Sequence, residues 1–181
     1  KNNQTLGVQR QGGMAQQLTM PAHKVIVCNA LSVDELALVE PLAVGLHAAR
    51  RAQINVGEWV AVIGCGVIGL GAIAAASAMG ARVIAIDIDD RKRNIALECG
   101  AQRFLNSQQC DVAAELVLLN DGRGPEVVIE AVGNQQTIEQ ATGLVAFSGR
   151  VVYVGYAKQP VSYQSAQFLM KELDIRGSRN A

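Results

Sequence analysis

The chain has no surplus of either charge: 16 Lys and Arg stand against 16 Asp and Glu. Without a basic field nothing draws in nucleic acid or an anionic membrane surface, so neither is an expected partner. Cysteine is sparse. Cys28, Cys65, Cys99 and Cys110 lie far apart, with no Cys-x-x-Cys pair. That spacing shows neither a zinc cluster nor a dithiol redox motif, and scattered free thiols fit a reducing cytoplasm. Signal peptide, lipidation motif, repeat and low-complexity tract are all missing. One uncharged run, Trp59 to Ala81, is long enough to cross a bilayer. Gly64, Gly66, Gly69 and Gly71 interrupt it and its first half is β-type, so it reads as a buried strand followed by a helix on a sheet.

What is present is apolar and small. Half of the 181 residues are hydrophobic, with Val, Ile, Ala and Gly dominant and aromatics only 4%. That suits one domain, or a domain plus a fragment, built on a parallel sheet covered by helices.

The organising stretch runs from Trp59 to Asp87. A β-branched run, Trp59-Val60-Ala61-Val62-Ile63, leads into Gly64-Cys65-Gly66-Val67-Ile68-Gly69. An Ala-rich helix, a second β-type run and Asp87 follow. This is the spacing of a βαβ unit that holds a dinucleotide. Gly64 turns the chain sharply, Gly66 leaves room for a pyrophosphate, and Gly69 lets the helix pack close to the strand. The helix amino end then faces the phosphates. Asp87, 18 residues after Gly69, is placed to accept from a ribose 2′-hydroxyl. A capping role for Asp87 and a glycine-rich structural turn are the bland alternatives. A carboxylate repels a 2′-phosphate, so NAD is expected over NADP, although Arg91, Lys92 and Arg93 stand close by in sequence.

Around that unit the chain alternates. Leu18 to Val27, interrupted by Pro21, reads as a short or edge strand. Ser32-Val33-Asp34-Glu35 is a capping box starting a short helix, which Pro41 breaks or restarts. From Leu42 to Gln53, Leu42, Leu46, Ala49 and Ala52 share an apolar face. Further strands are expected at Arg103–Leu105, Glu126–Ala131, Arg150–Val154 and Leu173–Arg176, with helices between them, one capped by Asn134. Six strands alternating with helices make a doubly wound sheet, with the loops after Ile63, Ile86, Ile129 and Val154 lining the site.

These residues resemble a known family, the medium-chain zinc-dependent alcohol and polyol dehydrogenases. The likeness is carried by Gly12-Gly13-Met14-Ala15, by Val39-Glu40-Pro41-Leu42-Ala43-Val44-Gly45-Leu46-His47-Ala48, by the glycine turn, by Val154-Gly155-Tyr156 and by Ile175 to Asn180. It is strongest toward sorbitol, threonine and sugar-acid dehydrogenases, and the Gly-Ser-Arg-Asn-Ala end is similar to bacterial enzymes acting on hexonates. The resemblance implies a Rossmann fold (α/β, a six-stranded parallel sheet) over residues 39–177. It further implies a short remnant of a β-rich, GroES-like catalytic domain over 1–38 and a connector at 178–181.

It implies an oxidoreductase that moves a hydride between a secondary alcohol, a polyol or sugar acid, and NAD. Zinc would belong only to the full-length parent, and this chain alone would be inactive. Val67 and Ile68 would touch the diphosphate and Lys92 the adenosine ribose. Val132, Val154, Gly155, Tyr156, Ser178, Arg179 and Asn180 would run along the nicotinamide side. Glu40 would be the catalytic residue, beside the catalytic zinc as a ligand, direct or through water, and near the substrate. In the sorbitol-like branch an arginine aligns with Asn180, a departure that touches the substrate contact. A cytoplasmic homo-oligomer, dimer or tetramer, is the expected form. The alternatives are a stand-alone NAD-binding or oligomerisation module, which would have no use for Glu40 and Ser178–Asn180, and a zinc-independent NADPH quinone reductase, against which Asp87 and Glu40 argue. Cys65 reads as a small turn residue and His47 as a packed one.

Overall fold

The computed structural model describes residues 4–180, so Lys1 and Ala181, the two ends of the expected remnant and connector, lie outside the described residues. The chain divides into two compact units, one up to Leu36 and one from Ala37 onward.

In the first unit, the strand expected over Leu18 to Val27 does not form. The stretch is extended apart from one 3-10 turn, Ala22–Lys24. Val25, Ile26 and Val27 are exposed, and among the described residues no strand pairs with them. An apolar run makes a strand only when it finds a partner.

The capping box does form. The Ser32 N–H donates to Glu35 Oε2 at 2.7 Å, and the Glu35 N–H donates to Ser32 Oγ at 3.3 Å. The helix it opens, α1, is longer than expected: it runs Val33–Ala52 straight through Pro41. A proline inside a helix costs about 3 kcal/mol. The box at one end and burial at the other outweigh that cost. The buried face is Gly45, Ala48, Ala49 and Ala52; of the expected stripe Ala49 and Ala52 are buried, while Leu42 and Leu46 remain partly exposed, at 41% and 36%.

The second unit is a sheet of six parallel strands: β1 (Trp59–Ile63), β2 (Arg82–Asp87), β3 (Ala101–Asn106), β4 (Val127–Glu130), β5 (Arg150–Tyr153) and β6 (Asp174–Gly177). Their order is β3-β2-β1-β4-β5-β6, so the direction of winding reverses between β1 and β4. Helices α2 (Val67–Ala78), α3 (Arg93–Glu98), α4 (Val112–Val117), α5 (Gln135–Leu144) and α6 (Ser165–Lys171) connect them.

Alternation along each strand divides the core. Val60 and Val62 pack with Ala48, Ala52, Ala72, Ile73 and Ala76 on one face. Ala61 and Ile63 pack with Val128, Ala141, Leu144 and Val145 on the other. Strands buried on both faces have to be apolar at every position, which explains the unbroken Val-Ile-Ala runs.

Small residues bring α1 and α2 together. A Cβ on Gly45 would stand 2.5 Å from the Ala72 nitrogen and 2.6 Å from the Ile68 carbonyl oxygen. The carboxyl end of α1 is held by guanidiniums from the far strands: Arg150 donates to the carbonyls of Ala52 and Gln53, and Arg176 to that of Arg51. Cations at a helix carboxyl end satisfy its free carbonyls and complement its dipole.

The Gly45 contact is testable. Alanine is about 1 kcal/mol better than glycine in a helix, but overpacking costs about 1–3 kcal/mol and here the clash is with rigid backbone. Gly45→Ala should therefore lower unfolding stability in urea by about 1–2 kcal/mol. An unchanged or raised midpoint would refute the close approach.

Candidate cofactor-binding site

A cavity of about 480 Å³ opens at the carboxyl ends of the strands, where the winding reverses. That volume and place suit a small-molecule site. Its floor is the turn after β1. Gly64 has φ +95°, a conformation that favours glycine, and a Cβ there would meet Val132 Cγ2 at 2.6 Å. A Cβ on Gly69 would run into the Gly64 carbonyl, so helix and turn touch backbone to backbone. Gly66 differs, because nothing lies within 4 Å of a Cβ built on it. It is a glycine facing open space at the lip of the cavity.

Gly66 is also the residue before α2, and no side chain caps that helix. No acidic residue stands in its first turn. The free N–H groups of the first turn and the positive end of the dipole are left for an anion.

Asp87 ends β2 and is 7% exposed. Four donors hold it. Oδ2 accepts from the Cys65 N–H at 2.6 Å and from Lys92 Nζ at 3.0 Å. Oδ1 accepts from the N–H groups of Ile88 and Asp89 at 2.8 and 3.1 Å. Burial alone would raise its pKa, but the Cys65 N–H, the Lys92 ammonium and the Asp89 N–H outweigh burial and hold the carboxyl below its ordinary value. The helical turn after it is capped by Asp89, which accepts from the Arg91 N–H, so the capping alternative for Asp87 does not apply. The chain after Asp87 forms this 3-10 turn, Asp90–Lys92, and then α3.

The expected site residues fall into two groups. Gly64, Gly66, Asp87, Lys92 and Val132 line one cavity. Glu40, Val67, Ile68, Gly69, Val154, Gly155, Tyr156, Ser178, Arg179 and Asn180 do not. Glu40 is exposed on α1, and Tyr156 is exposed after β5. The loop after Val154 stays off the cavity because Gly155 packs against Gly133, leaving no room for a Cβ on either. Ser107 and Gln108 after β3, and Asn134, Gln136, Thr137 and Gln140 around the start of α5, line it instead. Only Asn134 stood out in the sequence, as the cap it is: its side chain accepts from the Thr137 N–H at 2.9 Å.

Cys65 is buried, and burial, with the nearby Asp87 charge, pushes its thiol up to about 12. It packs the turn, as a small residue there can.

A family model described as zinc-binding dehydrogenase matches residues 67–181, more than half of the chain. The chain belongs to the zinc-binding dehydrogenase family. It is 35% identical to L-galactonate-5-dehydrogenase of Escherichia coli (strain K12) over 176 residues, covering 97% of this chain and 52% of that protein. Its fold matches galactitol-1-phosphate dehydrogenase from Escherichia coli with a TM-score of 0.86 at 33% identity, over 96% of this chain and 52% of that one. A zinc-binding dehydrogenase from Sinorhizobium meliloti 1021, solved bound to NADP, matches with a TM-score of 0.88 at 32% identity, over 97% and 53%. The chain spans about half the length of the curated relatives it matches.

The family's metal has no fit here. Among the described residues no three His, Cys, Asp or Glu side chains come together to hold an ion. Glu40 is a lone exposed carboxylate, whereas a catalytic zinc takes three protein ligands. Nor is any helix among the described residues long and apolar enough to cross a membrane.

The Asp87–Lys92 pair makes stability depend on pH. A depressed carboxylate contributes stability that is fully present above about pH 4 and is lost as pH falls through its folded value. Lys92→Met should move the Asp87 carboxyl back toward its ordinary value in a carbon-13 NMR titration. The stability gap between the two proteins should narrow below about pH 4. A gap that widens in acid would contradict the pairing.

Proposed function

We propose that this chain is the nicotinamide-dinucleotide-binding domain of an oxidoreductase acting on a secondary alcohol, a polyol or a sugar acid, with NAD the preferred cofactor. The observation that carries the reading is Asp87: a buried carboxylate at the carboxyl end of β2, tied to the glycine turn, facing a cavity. In it the hydroxyls of an adenosine ribose would donate to Asp87, with Lys92 beside them. The diphosphate would lie over Gly66 at the uncapped start of α2. Val67 and Ile68 would flank the diphosphate, while Val132 and, beyond the cavity, Val154, Gly155, Tyr156 and Ser178 to Asn180 would bound the nicotinamide half. Bound NAD would take up a hydride from the carbon bearing the alcohol.

The substrate class rests on the relatives, whose names include L-galactonate-5-, sorbitol and galactitol-1-phosphate dehydrogenases. Residues 1–38 would belong to a catalytic domain, 39–177 to the cofactor domain and 178–181 to the link between them. The active form would be a cytoplasmic homo-oligomer, with Glu40 facing the catalytic centre.

A relative solved with NADP favours the phosphorylated cofactor as a second reading. The two are separated by the Asp87 charge, which repels a 2′-phosphate, against Lys92 and Arg91, which attract one. Calorimetric titration of the chain with NAD and NADP decides between them. NAD should bind more tightly, and Asp87→Ala should weaken it by about 10- to 100-fold, the worth of hydrogen bonds to a charged acceptor. Gly66→Ala should weaken binding of either cofactor at little cost to the melting temperature, since the one added carbon has no protein atom within 4 Å. Tighter binding of NADP to the unmutated chain would overturn the preference for NAD.

A further inference from the structure

Glu130 ends β4 after Val127, Val128 and Ile129, and it is fully buried. Its two oxygens live differently. Oε1 accepts from the N–H groups of Val132 and Gly133 at 2.9 and 2.8 Å, and from the Thr137 hydroxyl at 2.8 Å. Oε2 has no hydrogen-bond partner. No Lys or Arg pairs with Glu130 among the described residues. A Cβ built on Gly155 would lie 2.5 Å from Oε2, so this oxygen is turned toward the chain leaving β5.

A second buried side-chain atom without a partner is Ser178 Oγ. Ser178 follows β6 directly. The register sets Glu130 beside Tyr153 and Tyr153 beside Gly177. Both unsatisfied atoms therefore stand at the carboxyl edge of the β4–β6 half of the sheet. Buried polar atoms left unpaired are costly and call for a reason.

The topology supplies one. With the adenosine ribose at the end of β2 and the diphosphate at the start of α2, the second half of a dinucleotide has to extend over the strands on the other side of the reversal. Those are β4, β5 and β6. The oxidised nicotinamide ring carries a positive charge that the reduced ring lacks. A carboxylate in a dry, low-dielectric setting acts on such a charge with little screening.

We propose that Glu130 is a positioning residue with an electrostatic effect: through Val132, Gly133 and Thr137 it sets the cavity wall, and its uncompensated carboxylate favours the oxidised cofactor over the reduced one. This rests on the dinucleotide reading above. The simpler account is that Glu130 only ties the Val132–Gly133 loop to α5, which would affect both redox forms alike.

Glu130→Gln separates the two, because it keeps the size and an acceptor oxygen but removes the charge. The chain and the variant are titrated with NAD+, with NADH and with ADP-ribose, which has no nicotinamide. Kd for NAD+ should rise about three- to tenfold relative to Kd for NADH, while ADP-ribose stays unchanged. Equal changes for NAD+ and NADH would reduce Glu130 to a loop tie and overturn the proposal. Should the Gln protein not fold, Glu130→Asp withdraws the charge by one methylene and should shift the same ratio in the same direction by less; no shift in it overturns the proposal equally. If the unmutated chain bound none of the three ligands, the dinucleotide reading itself would fall and this inference with it. Binding of all three with an unmoved ratio would remove this inference alone.

Discussion

The bond from the Cys65 N–H to the Asp87 carboxylate, 2.6 Å long, joins the two halves of the site. Cys65 lies in the turn after β1 and Asp87 at the end of β2, so one hydrogen bond ties the glycine turn to the buried acid. The strands beneath are already paired, with Ile63 beside Ile86 and the Gly64 N–H donating to the Ile86 carbonyl. The turn therefore cannot move without the carboxylate. Preorganisation of this kind matters because ordering a loop at the moment of binding costs affinity.

A second constraint works on the opposite side of the turn. Val132 presses on Gly64, and the loop carrying Val132 is held by Glu130. The glycine turn is thus clasped between two acids at the ends of neighbouring strands, Asp87 on one side and Glu130 on the other. Both accept backbone N–H groups. They differ in compensation: Asp87 has Lys92, and among the described residues no Lys or Arg pairs with Glu130.

Much of this was legible in the sequence. The three glycines follow from local geometry: one needs positive φ, one has to vacate space and one has to let backbones touch. Asp87 was legible through its distance from the turn. The caps at Ser32 and Asn134 form as their residue types predict. What was not legible needed a partner distant in the chain. The Leu18–Val27 run has strand composition and no strand beside it. Leu42 and Leu46 sit on an apolar stripe yet stay partly exposed, and the backbone of α2 lies closest at Gly45, where a Cβ would not fit. Glu130 gave one faint sign, an acid closing an otherwise apolar strand.

By itself, then, the amino-acid order determined the alternation of strands and helices, the glycine turn and the acid one strand on, because these depend on φ, on side-chain branching and on short spacings. Tertiary structure alone decided that α1 runs through Pro41, that the β5 loop folds against Gly133 instead of lining the cavity, and that Glu130 is buried with one oxygen unpaired. Each of those outcomes is settled by which backbone lies against which, and such contacts between remote segments exist only once the sheet has assembled.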